Sequence, residues 1–478
     1  MNVQPTAFRL SGAAAKFSLL MAASILAGCQ TLAPQAPPEP VAAPEPPPPV
    51  YVEPVATHRF ELQPGEDVVG ELQVTRIQGE DTFSDIARRF NVGYEEMVRA
   101  NPGVDPWVPG VGREVVVPTL FVLPDAPREG LIINLAQLRV YYFPPAGEGE
   151  PQTVITHPIG VGKVGWSTPI GTTKITGKAK NPTWFPPASV RKEHREAGDP
   201  LPGRVPPGPD NPLGAYLMTL GWPSYLVHGT NKPYGVGMRS SHGCIRFYPE
   251  DIEQLYGDIP VGTKVTVVNQ PFVFGWRGSA LFVQAFPIAE DDEREHPAGA
   301  DALLNAAISD EMWRTVREHD VAVDLALVNV IAADSRGVAV PVSHPVQRTE
   351  TPPKSRRKNQ PPPPAAPVFS MDRYLAAARH VENKLPEGSN WNGKDELLVS
   401  SEEFEATRNG IILPNESQPK KAAKPAKKVK ATKAPAARTQ PKRTAPVVAD
   451  EKLEVETPAS AKTSAVSTGK STRGAGAP

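Results

Sequence analysis

Gly130-Leu-Ile-Ile-Asn134 and Gln137-Leu-Arg-Val-Tyr-Tyr-Phe143 are two short runs rich in β-branched and aromatic residues, with only Leu135 and Ala136 between them. Runs of that composition joined by a tight connection read as neighbouring strands. Outward from this pair the same character recurs at Thr153-Val-Ile-Thr156, Thr172-Thr-Lys-Ile-Thr176, Ala215-Tyr-Leu-Met-Thr-Leu220 and Lys264-Val-Thr-Val-Val268. Only the stretch from Pro249 to Tyr256 reads as a helix. Proline opens it, and Glu250, Asp251 and Glu253 sit in the first turns, where the helix dipole favours negative charge. Many short strands divided by Gly/Pro turns predict a mainly β domain over residues 128–269, sandwich-like or barrel-like, with one helix.

A smaller unit precedes it, over residues 73–118. Val74-Thr-Arg-Ile77 is a strand candidate, and Gly79-Glu-Asp-Thr82 a turn with Asp81 or Thr82 as helix N-cap. Phe83, Ile86, Ala87 and Phe90 mark one face of a two-turn helix. Asn91-Val-Gly93 breaks it, a second short helix starts at Tyr94, and Arg113 to Val117 closes the unit as a strand. This βααβ order, with Gly-Glu-Asp-Thr, the Ile86-Ala87 pair and Ala100-Asn-Pro102, resembles a LysM module. The resemblance implies docking on N-acetylglucosamine-containing glycan strands; the plainer reading is a small structural domain.

Composition shows that the chain is not one globule. It has 57 prolines in 478 residues, and they cluster. Residues 30–57 form a proline-rich linker of polyproline type, able to extend about 3 Å per residue. Before it, residues 1–29 have a basic n-region (Arg9, Lys16), a short apolar run and Leu26-Ala-Gly-Cys29, in the order of an export signal. That end resembles a bacterial lipobox, which implies a diacylglycerol on Cys29 and a membrane tether without a spanning helix. Gln30, rather than Asp, implies the outer membrane by the same resemblance. Residues 270–345 read as a partly helical lobe, with Asp324 an N-cap and a further isolated helix from Met371 to Leu385. Residues 346–478 read as a mostly disordered tail. From Lys420 to Arg443 the tail has ten basic residues and no acidic one, so the formal net charge of −1 hides a basic end. Export makes nucleic acid an unsuitable partner for it, leaving a solvated run or contact with anionic envelope polymers.

The chain has two cysteines. With Cys29 given to the lipobox, Cys244 is an unpaired thiol in an exported protein, where cysteines normally pair. His228 lies sixteen positions upstream and His242 two, the sequence form of a Cys/His nucleophilic site. His228-Gly-Thr230 followed by Ser241-His-Gly-Cys-Ile-Arg246 resembles the signature of the YkuD-type L,D-transpeptidases. Pro158-Ile-Gly-Val-Gly162, Thr168-Pro-Ile-Gly171, Asn181-Pro-Thr-Trp-Phe-Pro-Pro187 and Asn211-Pro-Leu-Gly214 add to the resemblance. It implies that Cys244 attacks peptidoglycan stem tetrapeptides with His228 as proton donor and acceptor, held by a backbone carbonyl for which Gly229 is the candidate; no cofactor or metal is expected.

His242 is the competing base. The backbone N–H groups of Gly243 and Cys244 are oxyanion-hole candidates. Ser241, Arg246 and Trp184 are the candidate substrate-binding residues, Arg246 through its forked guanidinium. A histidine-paired thiolate is expected to titrate below about 7.5. The acyl acceptor is left open: a second stem peptide, an envelope lipoprotein or outer-membrane protein, or water, which would make a carboxypeptidase. A non-catalytic wall-binding tether is the alternative of another class. Zinc on His228, His242 and Cys244 fits no common ligand spacing. His58, His157, His296 and His344 read as ordinary surface or structural residues.

Overall fold

The computed structural model describes residues 48–54, 58–290, 292, 299–346, 369–385, 387–389 and 391–394. Cys29 and the stretch read as an export signal, most of the linker, His296 and the Lys/Ala-rich tail lie outside the described residues. Nine strands form one mixed sheet, ordered Arg59–Glu61, Thr153–Pro158, Arg139–Phe143, Gly130–Asn134, Lys264–Val268, Gly171–Lys180, Tyr216–Leu220, Leu226–His228 and Ile245–Arg246. Gly130–Asn134 pairs antiparallel with Arg139–Phe143 and parallel with Lys264–Val268.

Every residue of Arg139–Phe143 is buried, so the strand lacks the polar alternation of a half-exposed one. Its side chains alternate between two cores instead. Tyr141 and Phe143, with Ile132 and Val154, meet residues of the small module, among them Ile86, Phe90 and Met97. Val140 and Tyr142, with Leu131 and Ile133, meet Ile252 and Leu255 of helix Pro249–Asp258. One face of this curled sheet packs on the small module and its short strands, the other on helix Pro249–Asp258, as expected of a mainly β domain.

The small module forms as its pattern predicts: strand Gln73–Arg76, helices Phe83–Arg89 and Tyr94–Ala100, strand Glu114–Val117. Thr82 is the N-cap of the first helix. Its hydroxyl accepts from the Asp85 N–H, and the Asp85 carboxylate accepts from the Thr82 N–H, a closed capping box. Asn101 closes the other end, donating to the Met97 and Val116 carbonyls and accepting from the Val116 N–H.

Polar contacts lock this module to the β domain. Arg139, 1% exposed, donates to both carboxylate oxygens of Glu96 at 3.1 and 2.9 Å and to the Asn91 carbonyl. Nearby, Asp251 accepts from the Asn91 amide at 2.7 and 2.9 Å and lies 3.0 Å from His157 Nδ1, with His58 at 3.8 Å. Burial alone would raise the Asp251 carboxyl; His157, His58 and Asn91 more than offset that and hold it below its ordinary value. His157 is thus a buried junction residue, not a surface one. Replacing Arg139 by Met leaves Glu96 as a buried charge without its partner, and the expected loss is roughly 3–5 kcal/mol in urea unfolding. A loss under about 1 kcal/mol would show that the pair does not hold the modules together.

Two further elements escape the sequence pattern. Helix Ala188–Glu196 buries only Val190, so it carries no apolar stripe to read, and it adds a second helix to the β domain. Within residues 270–345, helices Gly299–Ala307, Asp310–Glu318 and Leu325–Asp334 form with Asp324 as the last one's N-cap. They share a core with an unforeseen hairpin, Phe272–Arg277 against Ala280–Ala285.

The stretch read as an isolated helix from Met371 to Leu385 is helical only over Met371–Ala376. Arg379–His380 then pairs with Gln73–Arg76, satisfying backbone groups that an edge strand would leave open. Val52 bridges Val381 on its far side. Asn383, Gly393 and Lys394 gather on Arg89 and Asp81, and the Arg88 guanidinium lies over the Trp391 ring at 4.3 Å. Part of the region read as tail is therefore a strap on the small module. No described helix is long and apolar enough to cross a membrane.

Candidate active site

Leu226–His228 lies between Tyr216–Leu220, antiparallel, and Ile245–Arg246, parallel, with His228 in register with Arg246. That register sets the histidine beside the strand that starts one residue after Cys244. His228 is 4% exposed, and its Nδ1 lies 2.6 Å from the Gly229 carbonyl oxygen. A carbonyl only accepts, so Nδ1 carries the proton and Nε2 keeps a lone pair. Burial, then the Arg246 charge, push the imidazole down to about 3, partly offset by the Gly229 bond. At neutral pH it is uncharged.

Cys244 closes a turn whose own atoms hold it. Ser241 Oγ donates to the Cys244 carbonyl at 2.6 Å and accepts from the Gly243 N–H at 3.2 Å, while Thr168 Oγ1 donates to the Gly243 carbonyl. Gly243 has φ +103°, and a Cβ there would come 3.0 Å from the Tyr225 ring. The run 158–162 lies against this turn: Gly160 exchanges backbone bonds with Arg246, and Lys163 N–H donates to the Ser241 carbonyl. A Cβ on Gly162 would fall 1.9 Å from the Trp166 carbonyl oxygen, so only glycine fits.

These contacts revise two expectations. Ser241 is engaged by the turn backbone, so its hydroxyl builds the site instead of facing substrate. Gly243 N–H is likewise taken, and of the two expected oxyanion donors the Cys244 N–H is the one with no partner among the described residues.

The thiol of Cys244 is half-buried and unpaired, its Sγ 4.0 Å from the Ser224 carbonyl. Burial raises its pKa above the ordinary value; the Leu226 backbone and the Arg246 charge only partly offset that. Thiol and imidazole are thus both neutral at rest, contrary to an expected thiolate below about 7.5. Arg246 acts on both groups, placing the three in one neighbourhood. Its own charge is disfavoured by burial, its Nε has no hydrogen-bond partner, and no carboxylate pairs with it among the described residues.

Trp184 is half-buried in a segment closed by backbone bonds to Val205 and by the Asn211 amide on the Pro182 carbonyl. Sequence reasoning missed Glu193, on helix Ala188–Glu196, which accepts from His242 Nε2 at 2.7 Å and from Lys163 Nζ. It missed Trp166 as well, whose ring meets His242 edge-on at 4.9 Å. His228, His242 and Cys244 do not bring donor atoms together as a metal site would. Among the described residues, the three donors that gather within 4.8 Å are His58, His157 and Asp251.

Residues 128–267 match the L,D-transpeptidase catalytic domain, and residues 76–118 match the LysM domain. The probable L,D-transpeptidase YcfS of Escherichia coli is 41% identical over 224 residues, spanning 46% of this chain and 69% of its own length. The probable L,D-transpeptidase YbiS of the same organism is 43% identical over 210 residues, 43% of this chain and 67% of its own. The solved catalytic domain of the E. faecium L,D-transpeptidase covers 30% of this chain at 21% identity and a TM-score of 0.22, too low to carry weight. At these identities and coverages of the Escherichia coli proteins, the chain belongs to the L,D-transpeptidase family.

Proposed function

We propose that this L,D-transpeptidase works on peptidoglycan in the cell envelope, tethered by lipid on Cys29, with Cys244 as its nucleophile. The thiol attacks the carbonyl of the third stem-peptide residue and passes its proton to His228 Nε2. The thioester forms as the terminal D-alanine leaves, its amine taking that proton. An amine acceptor then resolves the thioester, forming a 3→3 cross-link or joining an envelope protein to the wall. Cys244 N–H faces the developing oxyanion, and the Arg246 guanidinium, whose Nη1 donates to Ser240 Oγ at 3.5 Å and whose Nε has no partner, receives a substrate carboxylate. The LysM module holds the enzyme on the glycan strands.

The observation that carries this reading is the buried, neutral His228, its tautomer fixed on the Gly229 carbonyl and its strand in register with the one leaving Cys244. Incubation with a stem tetrapeptide, followed by intact-protein mass spectrometry, should show an acyl adduct on Cys244 and stoichiometric D-alanine. Tetrapeptide binding without adduct or D-alanine would favour the wall-binding tether.

The tether has its own test. Cys29→Ala is expected to release the protein from the membrane fraction or to block its processing, because lipid attachment needs that thiol. Unchanged fractionation would discard the lipid anchor and, with it, the placement on the outer membrane.

A further inference from the structure

The two imidazoles of the site hold opposite tautomers. His228 gives its Nδ1 proton to a carbonyl and keeps a lone pair on Nε2. His242 faces the Glu193 carboxylate with Nε2 at 2.7 Å, so the proton is on Nε2 and the lone pair on Nδ1. Its ring is further held by the edge of Trp166. Burial alone would raise the Glu193 carboxyl, but the bonds from Lys163 and His242 more than offset it and keep it ionised. Burial lowers His242 as well, against the pull of Glu193, with Lys163 and Arg246 the cations acting on it. A neutral imidazole, oriented by a carboxylate and left with one free lone pair, is the arrangement of a prepared base.

We infer that His242 is the base of the acceptor half-reaction and that Glu193 is its positioning residue; the inference rests on the thioester reading given above. Transfer to an amine involves two separate proton removals. In the first the thiol loses its proton, which ends on the departing D-alanine amine. In the second the acceptor nitrogen uses its lone pair to form the N–C bond, and the C–S bond breaks with its electron pair going to sulfur. The nitrogen then has one proton too many. His242 Nδ1 takes it, and it returns through solvent to the thiolate, restoring the starting state. His228 serves the first removal and His242 the second. Glu193 sits on helix Ala188–Glu196, in the same 181–215 segment as Trp184, so that segment supplies the carboxylate that orients the second base.

The test separates the two steps. The purified protein is first acylated with tetrapeptide, scored by the D-alanine burst, then chased with a stem tripeptide. The tripeptide carries the acceptor amine and has no D-alanine to lose. Glu193→Ala is expected to slow tripeptide-dependent decay of the thioester by ~10–100-fold and the burst by less than about threefold. Glu193→Gln can still accept from Nε2–H, and it should recover most of the lost rate. His242→Ala should match Glu193→Ala, with the double variant no slower than either, as for residues acting as one unit.

Equal losses in burst and decay, or a Gln variant as slow as the Ala variant, would reduce Glu193 to a fastening of its helix and overturn the inference. A wild-type thioester that decays no faster with tripeptide than in buffer overturns it too. Failure of wild type to form any adduct would instead sink the thioester reading itself.

Discussion

Replacing Cys244 by Ser is expected to abolish tetrapeptide processing, with neither D-alanine release nor an acyl adduct, while leaving unfolding in urea almost unchanged. The two side chains differ little in volume, and Cys244 sits half-exposed at the end of a turn held by Ser241 and Thr168, not in a tightly filled core. What the exchange removes is ionisability and intrinsic nucleophilicity. The thiol here is already pushed above its ordinary pKa by burial. An alcohol in the same place starts several units higher still, and neutral His228 is too weak a base to bridge that gap. The expected drop is at least ~10⁴-fold, on the scale seen when a nucleophile acting as one unit with its base is lost. Activity within about tenfold of wild type would move the chemistry away from Cys244. EDTA should leave the wild-type rate unchanged, and a loss restored by zinc would return a metal to the mechanism.

Much of the architecture was legible because local signals and tertiary fate agree. The capping box at Thr82 and Asp85, the turn at 91–93 and the closing strand at Glu114–Val117 each have short-range causes, and the small module forms from them. Gly229 as the carbonyl partner of His228 was legible only through the family resemblance, since no local rule names it. What could not be read is non-local. Arg139 looks like an outward-facing charge on a strand, yet it is buried because Glu96, 43 residues away, meets it. His157 has no neighbour in sequence that announces Asp251. Helix Ala188–Glu196 is almost wholly polar, so neither its existence nor Glu193's reach to His242 leaves a periodic trace. The strap at Arg379–His380 depends on an open strand edge some 300 residues earlier, so the local pattern read it as part of an isolated helix within the tail.

Replacing His228 by Ala is expected to slow acylation by ~10²–10⁴-fold, the usual worth of a positioned proton acceptor, whereas His242→Ala should leave the D-alanine burst far less affected. The difference follows from what each ring faces. His228 has its Nδ1 proton fixed on Gly229, and its strand neighbours Ile245–Arg246, which leaves Cys244 directly. His242 is turned onto Glu193. The pH dependence separates this mechanism from a preformed ion pair. Burial depresses His228 to about 3 and raises Cys244, so both shifts favour the neutral partners. The depressed imidazole takes up no proton in the native site as pH falls through its ordinary value of ~6.5, so acylation should show no acid limb there. The thiol should react with iodoacetamide along a curve that inflects above ~8.5, the ordinary cysteine value. Proton transfer to Nε2 then accompanies the attack on the substrate carbonyl instead of preceding it. An inflection below about 7.5, lost in His228→Ala, would establish a resting thiolate–imidazolium pair and replace this account. A normal burst in His228→Ala, with the loss falling on His242→Ala, would exchange the roles of the two histidines and take the proposal for Glu193 with it.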